Sequence, residues 1–277
     1  MVRAREAAVA AADLVLPVGC ASCGGPGGPS GPLCGACRVE VRGASLTGAA
    51  TAVTPRPRPA GMPDCWASAR FEGALRSAVT AYKDEDRRDL RPVLAEGLAV
   101  AVTSALFCDP TARRAVAAGE RVLVVPVATS RSSRRRRGDD PVGDLAREAA
   151  GRVAGSGDVA LAVVPVLVHV RVVADQARLG REARRDNLAG ALEVTAWGRP
   201  VLAGSVCVVV DDVVTTGSTL AEATRALRSA GARHVVAAAV AATPRRSRAP
   251  PRTPARGPRA RPGAASRTPL VSRRIAD

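Results

Sequence analysis

Aromatic residues are nearly missing from this 277-residue chain: two Trp, two Phe and one Tyr, 2% of the total. Few base-stacking platforms are therefore available for single-stranded nucleic acid. Lysine is scarcer still, because 41 residues are basic and only Lys83 among them is a lysine. So one-sided a preference for arginine reflects the base composition of the coding DNA, and it weakens any reading of the +16 net charge as a nucleic-acid footprint. The charge is also uneven: the segment 244–277 holds ten arginines and one aspartate, so it carries +9 and leaves +7 on residues 1–243. Long apolar runs are absent. The longest, Val159–Val170, has 12 residues, too few to span a bilayer, so no membrane insertion is expected. Near the start, Glu6 and Asp13 interrupt an alanine-rich stretch, which argues against a secretory leader and for a soluble, cytoplasmic protein. Histidine is limited to His169 and His234, each with no Asp or Cys close by in sequence, and both are expected to be structural.

What is present is a large supply of alanine and valine, the main part of a 47% apolar content, enough for one large domain or one medium domain with appendages. Residues 1–16 read as a short helix, 17–42 as a Gly/Pro/Cys-rich knot, and 43–63 as a linker, since TPRPRPAGMP continues neither a helix nor a central strand. From 64 to 243 strands and helices alternate. Strand-like segments are Cys65–Phe71, Val122–Val127, Leu161–Val168, Leu192–Ala196, Val206–Val210 and Val235–Val240. Helical spacing covers Ala74–Tyr82, Leu90–Leu106, Val142–Val153 and Ser218–Ala230, the last stopping at Gly231. Buried strands alternating with helices predict an α/β fold, a mostly parallel sheet flanked by helices. The segment 244–277, with seven prolines and ten arginines, has little to bury and is expected to be a disordered tail.

The stretch CVVVDDVVTTGSTLAEA, Cys207–Ala223, carries the most chemistry. A buried strand runs into Asp211 and Asp212, which places them where a doubly wound sheet binds ligands. The loop Val213–Gly217 then leads to a helix N-terminus, whose unpaired N–H groups and positive dipole end attract phosphate. Gly217 admits backbone conformations closed to other residues, and Thr215, Thr216, Ser218 and Thr219 add hydroxyl donors without bulk. Carboxylates repel a bare phosphate but accept hydrogen bonds from paired hydroxyls or support a metal ion. Side by side, the two features predict a sugar phosphate with its pentose on the aspartates. The G-K-[ST] ending of a Walker A loop is missing. The bland alternative is an Asp-Asp turn followed by a threonine-capped helix.

This stretch closely resembles the 5-phosphoribosyl-1-diphosphate (PRPP) motif of type I phosphoribosyltransferases. The resemblance implies ribose contacts from Asp211 and Asp212, 5′-phosphate contacts from Thr215, Thr216, Gly217, Ser218 and Thr219, and a magnesium ion on the diphosphate. In several purine-salvage members an aspartate stands where this chain has Thr215. Upstream, VPVATSRSSRRRRGDD, Val125–Asp140, holds five arginines after a strand; Arg131, Arg134 and Arg137 are candidate contacts for a leaving diphosphate, since guanidinium forks match phosphate oxygens. Taken together, these segments resemble the ComF family, phosphoribosyltransferase-like proteins linked to natural competence. Arg137 and Gly138 match that family's loop ending, whereas Asp139 and Asp140 replace its Phe-Asn. Gln176, Leu179, Arg184 and Asn187 match a second family block, and Ala81-Tyr82-Lys83 matches its tyrosine-lysine element. The resemblance covers about residues 17–242.

Cys20, Cys23, Cys34 and Cys37 form two C-x-x-C pairs ten residues apart, a spacing that supplies four thiolates to a structural, tetrahedral zinc. An odd total of seven cysteines suits such a site better than a disulfide framework. The ComF resemblance implies an N-terminal zinc ribbon as well. Cys65, Cys108 and Cys207 lie in apolar runs and are expected to be buried and unreactive. Two functions follow as expectations. One is a PRPP-dependent phosphoribosyltransferase, with no residue identifiable as a catalytic base. The other is a non-catalytic accessory protein of DNA uptake, binding single-stranded DNA or a recombination partner through the zinc ribbon and arginine surface.

Overall fold

A computed structural model describes residues 19–28, 31–46, 50–128, 140–157, 159–171 and 189–243. These fall within one compact unit, Met1–Arg245. The apolar segments of the sequence become a six-stranded sheet formed by β1 (Thr51–Ala52), β2 (Cys65–Arg70), β3 (Val122–Pro126), β4 (Leu161–Val163), β7 (Val206–Val214) and β8 (His234–Ala242), in the spatial order β1-β2-β8-β7-β3-β4. All neighbours are parallel except β1, which adds antiparallel to β2 at the edge. An antiparallel pair, β5 (Leu167–His169) and β6 (Leu192–Val194), forms a second small sheet.

The central strands are apolar on both faces because helices or the small sheet cover both. Along β7, Val206, Val208 and Val210 join one core cluster while Cys207 and Val209 join the other, the period of two that a pleated strand imposes. The first cluster is completed by α1 (Gly35–Leu46), α2 (Gly73–Asp84), α3 (Arg91–Cys108), α4 (Pro110–Ala117) and most of α5 (Pro141–Gly155). The second gathers β5, β6, α6 (Gly198–Leu202) and α7 (Ser218–Ser229). Among the described residues, the stretch Arg88–Cys108 is the one long and apolar enough to cross a membrane by length and composition. Here it serves as a core helix: Leu94, Leu98, Ala101, Val102, Ala105 and Leu106 are buried beneath α5 and the sheet.

Several elements differ from the sequence expectation. The apolar run 161–168 is two strands in two different sheets, because Pro165 has no N–H to continue a ladder. The stretch 43–63 contains the end of α1 and strand β1, with Ala50 and Met62 buried. Helix α4 was not anticipated, although Asp109 at its N-cap accepts from Thr111 N and Ala112 N and Pro110 occupies its first position. Cys108, expected inside, is exposed: it is the last residue of α3, just before Asp109 turns the chain. At the other end of the prediction, Gly231 has φ +95° after α7, where Ala232 N bonds Leu227 O and Gly231 N bonds Arg228 O. That pair of bonds is the Schellman closure expected of a glycine there.

Candidate functional site

Strand β7 runs farther than the sequence suggests. Its pairing with β3 stops at Pro126 opposite Val210, but its pairing with β8 continues to Val214 opposite Ala242. Asp211 and Asp212 therefore sit within a strand, beyond the end of one neighbour and still held by the other. A regular strand would point them to opposite faces. The alternation slips here instead: Val210 and Val213 both face the first core cluster, while Val214 faces the second. Two local hydrogen bonds accompany the slip. Asp212 N donates to Asp211 Oδ1 at 2.8 Å, and Val213 N donates to Asp212 Oδ1 at 2.7 Å. The two carboxyls are close enough for the Asp212 charge to act on Asp211. Asp212 is 4% exposed and Asp211 half-buried. Burial first, and then the Asp212 charge, push the Asp211 carboxyl well above the usual range, although Lys83 opposes the shift.

The loop after β7 ends at Gly217, which has φ +78° and precedes the first turn of α7. A β-carbon there would stand 2.4 Å from Met62 Sδ and 3.3 Å from Pro55 Cγ, so glycine is required both by conformation and by space. The segment around Pro55 and Met62 thus lies against the loop. Thr216 Oγ1 donates to Ser218 Oγ and accepts from Ser218 N. Thr215 is exposed, Thr216 and Thr219 half-buried, and Ser218 buried. Thr243 anchors the loop from β8, its N bonding Val214 O and its Oγ1 bonding Thr215 O. Beyond Ser218, the N–H groups of the first helical turn have no partner within the helix.

Lys83 completes the acidic site from 129 positions away in sequence. Its Nζ lies 2.9 Å from Asp212 Oδ2 and 3.2 Å from Oδ1. Burial works against its ammonium, but the charges of Asp212 and Asp211 outweigh that and hold its pKa above the usual lysine range. A second ion pair was also invisible to local reading. Glu222 Oε1 on α7 accepts from Leu192 N at 3.1 Å, and Arg225 Nη2 donates to both Glu222 Oε1 at 2.8 Å and Leu192 O at 2.7 Å. This pair ties α7 to β6. Burial alone would raise the Glu222 pKa, but the hydrogen bonds from Arg225 and Leu192 bring it below its ordinary value.

The four expected cysteines come together: the sulfurs of Cys20, Cys23, Cys34 and Cys37 lie within 4.8 Å of one another. Cys23 Sγ and Cys34 Sγ are 3.8 Å apart. Four thiolates around zinc at ~2.3 Å stand ~3.8 Å apart, so the cluster is compatible with a structural zinc. Burial disfavours a Cys20 thiolate, but amide donors, Cys34 N among them, bring its pKa down to about 6. The Ser22 hydroxyl favours a Cys37 thiolate, yet burial and the three neighbouring thiols push its pKa up to about 12. One site thus resists carrying four negative charges without a cation. Cys65 and Cys207 are buried, with thiols raised by burial to about 12 and about 11.

Arg131, Arg134 and Arg137 lie outside the described residues, as do Gln176, Leu179, Arg184 and Asn187, the segment 1–16 and the segment 244–277. Asp140, beside the arginine loop, accepts from Gly143 N and N-caps α5. His234, expected to be alone, has Nε2 3.0 Å from Asp109 Oδ1, and His169 Nε2 is 3.1 Å from Ala128 O. No curated protein matches the chain. The family model described as the phosphoribosyl transferase domain matches residues 121–262, a span that holds β3, the acid pair, the glycine loop and α7. That span is just over half of the sequence, and the chain belongs to the phosphoribosyl transferase domain family.

Proposed function

We propose that the chain is a PRPP-binding phosphoribosyltransferase of the ComF type. The observation that carries this reading is the pair of adjacent aspartates on β7, beyond the end of its pairing with β3, with the positive-φ Gly217 five residues after Asp212 at the start of α7. In the proposed complex, Asp211 and Asp212 accept hydrogen bonds from the ribose hydroxyls. The 5′-phosphate lies in the turn of Thr215, Thr216, Gly217, Ser218 and Thr219, facing the open N–H groups of α7. Magnesium suits this donor set through the oxygen ligands of the ribose and diphosphate beside the carboxylates; when bound, it would neutralise charge on the departing diphosphate. Arg131, Arg134 and Arg137 are proposed, from sequence alone, to hold that diphosphate. Zinc in the four-cysteine cluster, the 17–42 ribbon, would be structural, because four protein ligands leave no open position. The catalytic part would span 64–243.

Calorimetric titration with PRPP and magnesium tests the site. Asp211→Asn combined with Asp212→Asn is expected to weaken binding by about 100-fold or more, the scale of losing hydrogen bonds to charged acceptors. Equal affinity in the two proteins would falsify the assignment. Diphosphate release across a panel of nucleobases separates transfer of the phosphoribosyl group from binding alone.

A further inference from the structure

The acid pair poses an electrostatic problem that the proposed ligand does not solve when it is absent. Two carboxyls stand at adjacent positions of β7, one of them 4% exposed. A buried carboxylate without a partner is expensive, and two close neighbours resist ionising together. Among the described residues, the charged and titratable groups near the pair are Lys83 of α2, with Asp84 beside it, and Cys65 of β2, with Arg58 and Asp64 beside that thiol. Arg58 is already turned to Asp64 at 2.9 Å and to Met62 O. Among the described residues the cation on the pair is Lys83, whose Nζ spans both oxygens of Asp212.

Lys83 does not arrive on a loose stem from a free helix. At the end of α2 nearest to it, Tyr82 is 1% exposed and donates to Pro141 O at 2.9 Å, and the Arg88 guanidinium lies 4.9 Å from the Tyr82 ring centre. At the far end, Glu40 Oε1 of α1 accepts from Ala74 N at 2.8 Å, in the role that the helix's own N-cap residue does not fill. Ser22, between two of the clustered cysteines, donates to Ala74 O, and Arg87 reaches back to Gly19 O at 3.1 Å. The cysteine module thus brackets α2 at both ends.

We infer that Lys83 is a positioning residue of the sugar-phosphate site: it fixes the Asp212 carboxylate and offsets its charge, so that the acid pair stays ready to accept two neighbouring pentose hydroxyls. This inference rests on the proposed function. Its action runs through Asp212. Without Lys83, the pair has lost its counter-charge and holds a proton to higher pH, and a protonated carboxyl is a poorer acceptor for a hydroxyl pair.

Ribose 5-phosphate is the appropriate probe, because it has the pentose and its phosphate but no diphosphate that Lys83 could touch directly. Its affinity is measured by calorimetry from pH 5 to pH 9 for the full chain and for Lys83→Met, Lys83→Arg, Asp212→Asn and the double variant Lys83→Met/Asp212→Asn. The expected result is about a tenfold loss at pH 7 for Lys83→Met, the scale of one charge-assisted contact. The midpoint of its pH profile should move up by about one unit, and Lys83→Arg should restore that midpoint. In the Asp212→Asn background, Lys83→Met should add no further loss, the signature of a residue acting through its partner. The double variant removes Lys83 and the carboxylate it contacts together, so it supplies this comparison even where Lys83→Met alone folds poorly. Wild-type binding that Lys83→Met leaves unchanged in strength and in pH profile overturns the inference alone. A wild-type protein that binds neither ribose 5-phosphate nor PRPP overturns the proposed function, and the inference with it.

Discussion

Two places in this molecule crowd acidic groups, and they do so in different ways. The cysteine cluster gathers four thiols from Cys20 to Cys37, so its members lie within one short stretch of chain. The acid pair gathers two carboxyls from adjacent positions, but its counter-charge comes from Lys83 on another helix. In the first, a bound cation can resolve the repulsion without help from the rest of the fold. In the second, the fold itself delivers the cation. A locally complete site can be read from spacing, whereas a site completed by folding shows only its local half.

If the cluster is a metal-held splint for α2, losing it should disturb the molecule most. Structural zinc supplies ~10–16 kcal/mol in small zinc domains, so even a fraction of that is large beside a typical fold stability. Cys34→Ser, or exhaustive chelation, is expected to lower Tm by about 10 °C or more, given about 2–4 °C per kcal/mol at this size. Scanning calorimetry measures it. Because Ser22 and Glu40 hold the start of α2, ribose 5-phosphate affinity should fall as well. An unchanged Tm after verified metal removal would mean that the cluster and α2 are energetically separate.

The same contrast explains what was legible beforehand. Strand β7 and helix α7 could be read because five apolar residues, two acids, a hydroxyl-rich glycine turn and an amphipathic helix follow one another without a gap. The central strands β3 and β8 announced themselves by their apolar runs. The Leu161–Val168 region misled because burial pattern alone does not say which sheet a strand joins; Pro165 was the available sign of a division. Helix α1 was hidden because, among the residues whose burial is described, only Cys37 and Val41 are buried in a glycine- and arginine-containing segment. Glu222 and Arg225 look like an ordinary exposed helical pair at i,i+3, and only the arrival of Leu192 turns them into a buried tie. Lys83 had two sequence signs, being the sole lysine and part of the Ala81-Tyr82-Lys83 element, but nothing local pointed to Asp212.

The next effect tests how tightly the glycine turn before α7 is built. Gly217→Ala places a side chain at φ +78° and 2.4 Å from Met62 Sδ. The left-handed conformation alone costs about 1–2 kcal/mol, and the clash adds to it. Urea denaturation should show the loss, with ribose 5-phosphate affinity reduced by about tenfold as the turn shifts. Met62→Ala is the reference for the clash: because truncating buried Met62 has its own cost, Gly217→Ala is compared within that background, where it should cost less than in the wild type but keep the backbone part. No cost in that background would show that Gly217 serves packing against Met62 and that the turn tolerates an ordinary backbone.

The smallest expected effect has the opposite sign. The Asp211 carboxyl has its pKa raised by burial and by the neighbouring Asp212 charge. An unfolded aspartate titrates near 3.9. Below that pH both states hold the proton, and Asp211 contributes no difference. As pH climbs from there through the raised native value, the unfolded chain releases its proton first, so this residue progressively destabilises the fold. Above the native value the full penalty is present. Asp211→Asn removes the charge with almost no change of shape. It should therefore raise Tm at pH 8 by about 2–4 °C, the shift that 1 kcal/mol produces in a domain of this size, and should have little effect near pH 3.5. The same variant is expected to weaken ribose 5-phosphate binding, because Asn brings one acceptor oxygen where the carboxylate has two. A gain in stability together with a loss of binding would mark Asp211 as a residue kept for its ligand at the expense of the fold. A loss of both would place it with Lys83 and Tyr82 in the supporting framework instead.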